Sequence, residues 1–285
     1  MKKLYILLAS GLISLSAVAQ TSEALPFIQL DYNPVSLSMG STLIPSSAVL
    51  PLSGKQLAAG VVYQSYMPEL SATKYIGGGV AGTIDKLGLS VAFTRGTGEM
   101  IADEKFTPTE LLLNAGVSYA VMDFLAVGAN VKYGKEQLLA NYANSAVAFD
   151  VFAAGKTGGF DFAAGVSAIG GKVQSEATGG FSLPAAVTLG AGYAAEFGDV
   201  HAIAAHARAD RYFAGPIAAG FGLEYGYDGM VFARAGYHYG GDSIVPSFAS
   251  AGLGLQLGEF TLDAAYLFAS DILGGTFSVG VGVRF

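Results

Sequence analysis

The stretch Leu113–Tyr133, LNAGVSYAVMDFLAVGANVKY, holds two runs of alternation joined by a tight break. Leu113, Ala115, Val117, Tyr119 and Val121 alternate with Asn114, Gly116, Ser118 and Ala120. Beyond Met122-Asp123, Leu125, Val127, Ala129, Val131 and Tyr133 alternate with Ala126, Gly128, Asn130 and Lys132. Successive side chains of a strand point to opposite faces, so each run is a strand with one apolar face and one small or polar face.

The pattern recurs from about Gln56 onward. Segments of this kind lie near 56–66, 73–84, 87–95, 109–122, 123–134, 145–157, 159–170, 183–197, 199–211, 213–227, 229–240, 247–257, 259–269 and 275–285. Alternation alone also fits a water-soluble sandwich with its apolar faces inward. The connections discriminate. Tight turns at Asp85-Lys86, Met122-Asp123, Gly158-Gly159, Gly198-Asp199, Asp228-Gly229 and Gly258-Glu259 alternate with longer links at Gly96–Pro108, Lys135–Asn144, Gly171–Ser182 and Gly241–Pro246. Short turns at one end and long loops at the other, over an even number of strands, are the signature of an outer-membrane barrel. A strand tilted across the hydrocarbon layer needs about 9–11 residues, which these segments supply. The expected fold is all-β: a closed antiparallel transmembrane β-barrel of about fourteen strands. Lipid offers no partner to an unpaired backbone group, so the first strand is expected to pair with the last.

Composition agrees. Of 285 residues, 52% are hydrophobic and only 13% charged, against roughly 25% charged for a soluble domain. Cysteine is absent, which excludes disulfides, thiolate nucleophiles and cysteine metal sites. Lys2-Lys3, the apolar run Leu4–Leu15 and Ala17-Val18-Ala19 read as a secretory signal peptide over 1–19. Its removal leaves 13 basic against 22 acidic residues, a charge of −9, so nucleic acid is not an expected partner.

Residues 20–55 lack the alternation and contain Pro26, Pro34, Pro45 and Pro51. They are expected to form a plug, or hatch, tucked into the periplasmic end of the lumen, with the barrel occupying 56–285. The closing segment Phe277–Phe285, FSVGVGVRF, ends on an aromatic residue. Phe285 resembles the C-terminal signal read by the barrel-assembly machinery, an expected partner together with outer-membrane lipid.

The segment Phe27-Ile28-Gln29-Leu30, followed by Ser36-Leu37-Ser38-Met39-Gly40-Ser41, resembles the N-terminal pattern of the PorV/PorQ-type outer-membrane proteins of Bacteroidota. Tyr63–Pro68 and Tyr75–Gly79 resemble that family's first hairpin. Val35, Leu50-Pro51-Leu52 and Met67 depart from it. The resemblance implies a FadL-like architecture of fourteen strands with an N-terminal plug, whose motif here comprises Phe27, Ile28, Pro34, Met39 and Gly40. It also implies a role in type IX secretion: binding secreted cargo that carries a C-terminal secretion domain, alongside other secretion components; it does not imply catalysis, and the protein is not expected to be an enzyme.

The polar face carries Glu110, Lys132, Asp150, Asp161, Glu196, His206, Arg208, Asp210, Glu224, Arg234, His238, Asp263 and Arg284. Both signs are present, as expected of ion pairs across a narrow lumen. No catalytic motif surrounds His206 or His238, Gly77-Gly78-Gly79 lacks the features of a phosphate loop, and no cofactor or metal spacing is present. The outer loops hold Met100, Ile101, Phe106, Leu138, Leu139 and Tyr142 beside acidic residues, a mixture suited to contact with protein or glycolipid. Eleven tyrosines, Tyr66 and Tyr75 among them, are expected to form interfacial girdles. Two functional readings follow: a non-enzymatic cargo- or partner-binding barrel, or a FadL-like channel for hydrophobic or small solutes. A barrel that merely anchors a complex is a third.

Overall fold

The computed structural model describes residues 24–43, 51–52, 56–69, 71–100, 106–140, 142–175, 179–241 and 243–285. The expected signal peptide and Ile101 lie outside the described residues.

Fourteen strands close into one antiparallel barrel. In chain order the elements are β1 (Leu57–Tyr66), β2 (Thr73–Ile84), β3 (Leu87–Thr97), β4 (Thr109–Met122), β5 (Leu125–Leu139), β6 (Tyr142–Thr157), β7 (Phe160–Gly170), β8 (Val173–Ser175), β9 (Gly179–Phe181), β10 (Ala186–Phe197), β11 (His201–Tyr212), β12 (Ile217–Tyr227), β13 (Val231–Tyr239), β14 (Phe248–Leu257), β15 (Phe260–Phe268) and β16 (Phe277–Arg284). Each wall strand pairs with its sequence neighbours, except that β7 pairs with β10 and the hairpin β8–β9 stands apart between them. β1 pairs with β16 from Ala58↔Arg284 to Ser65↔Phe277. Phe285 extends that seam by donating its N–H to Leu57 O (2.8 Å) and accepting from Leu57 N (3.1 Å).

The barrel is turned inside out relative to a soluble one. Val61, Val91, Leu113, Val117, Leu253 and Phe260 are exposed on its outside. Asn130, Lys132, Asp150, Arg208, Asp210 and Arg234 are buried inside. Such an outer surface is stable only against hydrocarbon. The tight turns gather at one end, where Gly158-Gly159 and Asp228-Gly229 have positive φ at both central positions, the geometry that matches the right-handed twist of a hairpin. By loop length this end is periplasmic and the other extracellular.

Two sequence expectations change here. Lys135–Asn144 is no loop: β5 and β6 continue to Leu139 and Tyr142, with Glu136 opposite Asn144 and joined to it by a 3.0 Å hydrogen bond. Polar strands can continue past the hydrocarbon, so membrane thickness does not limit their length. Tyr66 and Tyr75 belong to no outer girdle, because they share the inward face of β1 and β2 with Gln64 and are buried. Tyr119, Tyr193, Tyr225, Tyr227, Tyr237, Tyr239 and Tyr266 do lie exposed on the outside.

Inside the lumen, Pro26–Gln29 forms one 3-10 turn and Pro34–Ser38 a short helix, α1, capped by the Asn33 side chain. This segment sits at mid-height and in the outer half rather than at the periplasmic end. Its apolar side chains explain why. Leu25, Phe27 and Ile28 pack with Leu112, Ala148, Ala168, Val173 and Leu183, and Leu37 packs with Tyr66, Tyr75, Phe248, Leu267 and Leu273. The periplasmic mouth instead presents the exposed side chains of Glu196 and Arg284.

Candidate functional site

The lumen charges are matched, across strands at Lys132, Arg234 and His206 and within β11 at Arg208. Lys132 Nζ lies 2.8 Å from Asp150 Oδ2, which also accepts from Asn130 Nδ2 (3.2 Å). Arg208 donates from Nε and Nη2 to Asp210 Oδ1 (3.1 and 2.8 Å), which also accepts from Thr188 Oγ1 (2.5 Å). Arg234 joins Glu224 (2.5 Å) and Asp263 (2.6 Å). His206 faces Asp161 at 3.6 Å. Two of these links span an intervening strand, and a glycine makes each possible. Gly254 of β14 lies beneath the Arg234–Asp263 pair, where a Cβ would come within 2.6 Å of Asp263 Oδ1 and 2.7 Å of Arg234 Nη1. Gly192 of β10 pairs with both Asp161 and His206. A buried charge without a partner is costly, so these residues chiefly hold the wall together. Glu196 and Arg284 face the periplasmic mouth and join no ion pair among the described residues.

The plug is fastened at both ends. Gln29 Nε2 donates to Ser167 Oγ and Pro184 O, both at 2.8 Å, and Ala24 N donates to Ser182 O (2.9 Å). Ser167 and Ala168 form a bulge in β7 opposite Asp150. Asp150 Oδ1 accepts from Ala168 N (2.8 Å), so one carboxylate serves both the bulge and Lys132. At the other end Arg208 Nη1 donates to Leu43 O (2.9 Å), and Gly40 N donates to Ser250 Oγ (3.2 Å). All five plug-motif residues are buried: Phe27 and Ile28 in the outer apolar cluster, Pro34 beside Gly280, and Met39 and Gly40 against β12 and β13. Inward glycines make the room. A Cβ at Gly222 or Gly236 would collide with the backbone of Met39, and one at Gly134 would come within 2.7 Å of Ile28 Cδ1.

Cavities lie on both sides of the plug. An outer pocket of about 460 Å³ is lined by Phe27, Leu30, Tyr66, Tyr75, Glu99 and Glu110, with Leu138 and Ile244 at its rim. Tyr75 donates its hydroxyl to Glu110 Oε2 (2.6 Å), and its ring meets those of Tyr32 and Tyr66 edge-on at 5.0 and 5.9 Å. A second space, the inner vestibule, runs from Leu30, Asp31 and Tyr32 past Asn114 and Lys132 to Arg284; its volume of about 490 Å³ includes room on the lipid side of the wall, beside Val61, Val80, Val91, Phe93 and Val281. A polar chamber of about 30 Å³ lies between them, faced by Gln64, Arg208 and His238, room for about two waters. Leu30 lines all three spaces. Burial raises the pKa of the Asp31 carboxyl above its usual range, against the lowering effects of hydrogen bonds and of Arg208.

Beside the vestibule the wall is thin. Ala59, Gly60, Gly78, Gly79, Ala92 and Gly282 line both the vestibule and a groove of about 660 Å³ on the lipid side.

Of the loop residues expected to meet partners, Leu138 lines the outer pocket, Met100 and Leu139 are exposed and Phe106 is half-buried. The Tyr142 side chain lies outside the described residues. Leu30, Tyr32, Tyr66, Tyr75 and Gly96 were not expected at a site. Their signal is weak, an aromatic residue at inward parity near the outer end of β1 and β2.

A closed fourteen-stranded barrel, apolar outside and filled by its own N-terminal segment, is the FadL/porin-like barrel fold. Among solved structures, similar folds are CymD, a monoaromatic hydrocarbon channel (TM-score 0.59, 13% identity, covering 88% of this chain and 96% of that one), and the Pseudomonas putida toluene transporter TodX (0.52, 14%, 89% and 96%). The Acinetobacter baumannii outer membrane protein Omp33 is similar too (0.51, 13%, 81% and 97%). No protein-family model and no curated protein matches the sequence. The likeness at these identities is one of fold.

Proposed function

We propose that the protein is an outer-membrane channel for small hydrophobic solutes. The observation that carries this reading is a solute-sized outer pocket separated by the plug from an inner space that reaches both the periplasmic mouth and the thin wall, with Leu30 common to both. Ligand sites are typically concave, mostly apolar and a few hundred Å³ in volume, and the outer pocket fits that description. A solute seated against Phe27 and Tyr66 reaches the vestibule when the Leu30 segment shifts. From there it leaves through the periplasmic mouth, or through the thin wall into the bilayer.

Two of the similar structures named above are hydrocarbon channels, which favours this reading over the cargo-binding role that the plug motif implies. That role and its type IX partners rest on the motif alone. We also propose export through the signal segment 1–19 and assembly through the terminal Phe285.

Uptake of the neutral fluorophore phenylnaphthylamine into porin-deficient cells with intact lipopolysaccharide tests the function. Expression is expected to accelerate uptake, and Leu30→Trp to abolish the gain. Equal uptake with and without the protein contradicts the proposal.

A further inference from the structure

We infer that the outer pocket selects a small hydrophobic cation, an aromatic or short alkyl ammonium. This deepens the channel reading and rests on it for transport, though not for binding. Glu110 of β4 and Glu136 of β5 stand directly opposite each other in register on the inward face. Like charges so placed repel. Glu136 is buried, and its carboxylate accepts from Asn144 Nδ2 (3.0 Å), whereas Glu110 accepts from the Tyr75 hydroxyl. Neither forms an ion pair among the described residues. The nearby basic side chains of Lys74, Arg95 and Lys135 occupy the opposite parity of their strands and are exposed on the outside.

The described pocket lining therefore carries Glu99 and Glu110 and no lysine or arginine. The rest of its lining is mostly aromatic or aliphatic, with the hydroxyls of Ser71 and Thr73 besides: the Tyr75 hydroxyl meets the Glu110 carboxylate, the Tyr66 ring meets that of Tyr75, and Phe27 lines the same space. Carboxylates beside ring faces recognise organic ammonium groups through Coulomb attraction and cation–π contact. An anionic amphiphile is repelled, and a bare metal ion finds too few oxygens for its shell. Gly96 keeps the corner open, since a Cβ there would come within 2.6 Å of Tyr75 Cε1 and 2.9 Å of Glu110 Oε2.

The test is calorimetric titration of the full-length protein in detergent with three probes: benzyltrimethylammonium, its neutral isostere neopentylbenzene, and benzoate. The ammonium is expected to bind at least about tenfold more tightly than the neutral probe, and benzoate not to bind. Glu110→Gln, or Glu136→Gln should the first variant fold poorly, is expected to cut ammonium affinity about tenfold and leave the neutral probe unchanged. Equal affinity for ammonium and isostere, no binding of any probe, or indifference to both substitutions overturns the assignment. Those results leave the dye-uptake test of the channel untouched. An ammonium preference with no dye uptake would sink the channel reading instead.

Discussion

Replacing Arg234 by alanine strands two carboxylates at once. Its guanidinium is buried between Glu224 at 2.5 Å and Asp263 at 2.6 Å, with side-chain exposures of 6%, 23% and 17% respectively. Removing one partner of a buried pair costs about 3–5 kcal/mol, because the remaining charge keeps its desolvation penalty. Partial exposure of both carboxylates to the lumen places Arg234→Ala near about 3 kcal/mol, which is more than a hundredfold in the folding equilibrium. Neutralising all three groups, with Arg234→Met, Glu224→Gln and Asp263→Asn together, leaves no stranded charge and is expected to return stability to within about 1 kcal/mol of the starting protein. Guanidinium unfolding in detergent micelles, followed by tyrosine fluorescence, measures both. If Arg234→Ala costs less than about 1 kcal/mol, or the triple variant is no more stable than the single one, the lumen ion pairs do not support the wall as argued.

Other substitutions probe the plug and the lipid face. Gly222→Val and Gly236→Val should each displace Met39, so that protease cleaves within residues 24–43 and single-channel conductance rises; an unchanged digest would contradict the seat described. Val91→Arg places a charge in hydrocarbon and should cost about 2–4 kcal/mol, less nearer the interface, in the same unfolding assay. The raised Asp31 pKa means that ionisation disfavours the folded state. The penalty is absent below the unfolded value near 3.8, grows as pH rises from there to the folded value, and is constant above it. The stability of Asp31→Asn relative to the parent should therefore increase with pH across that window, and a pH-independent difference would remove Asp31 from the argument.

The wall was legible because its rules are local. Alternation along Leu113–Tyr133 assigns each side chain to a face, and a tight turn fixes the register of a hairpin. The three-residue turn Asp228-Gly229-Met230, between the paired Tyr227 and Val231, places Glu224 opposite Arg234. The link from Arg234 to Asp263 could not be read that way, since it crosses β14 over Gly254. The depth of the plug was hidden for the same reason. Gly222 and Gly236 face each other in the β12–β13 hairpin, but they and Gly134 of β5 form its seat only when distant parts of the wall are brought round the barrel, and along the chain they look like ordinary strand glycines. Lys135–Asn144 looks like a loop along the chain because it breaks the apolar alternation, yet its backbone pairing persists beyond the hydrocarbon. The Glu110–Glu136 juxtaposition lies in the part of the β4–β5 ladder beyond Gly134, which exists only because β5 continues through Glu136 as a strand.

The central claim is the direction in which the apolar side chains point, and the chain contains no tryptophan to confuse its measurement. Single-tryptophan variants at Val91, Leu113 and Val117, and at Ser90, Thr94 and Asn114, can be reconstituted in vesicles of brominated phospholipid. The first three positions lie on the exposed outer face, and the second three line the vestibule by their inward faces. Strong quenching confined to the first set is the predicted result. Quenching confined to the second set, or equal in both, would contradict a barrel that turns its apolar face to lipid.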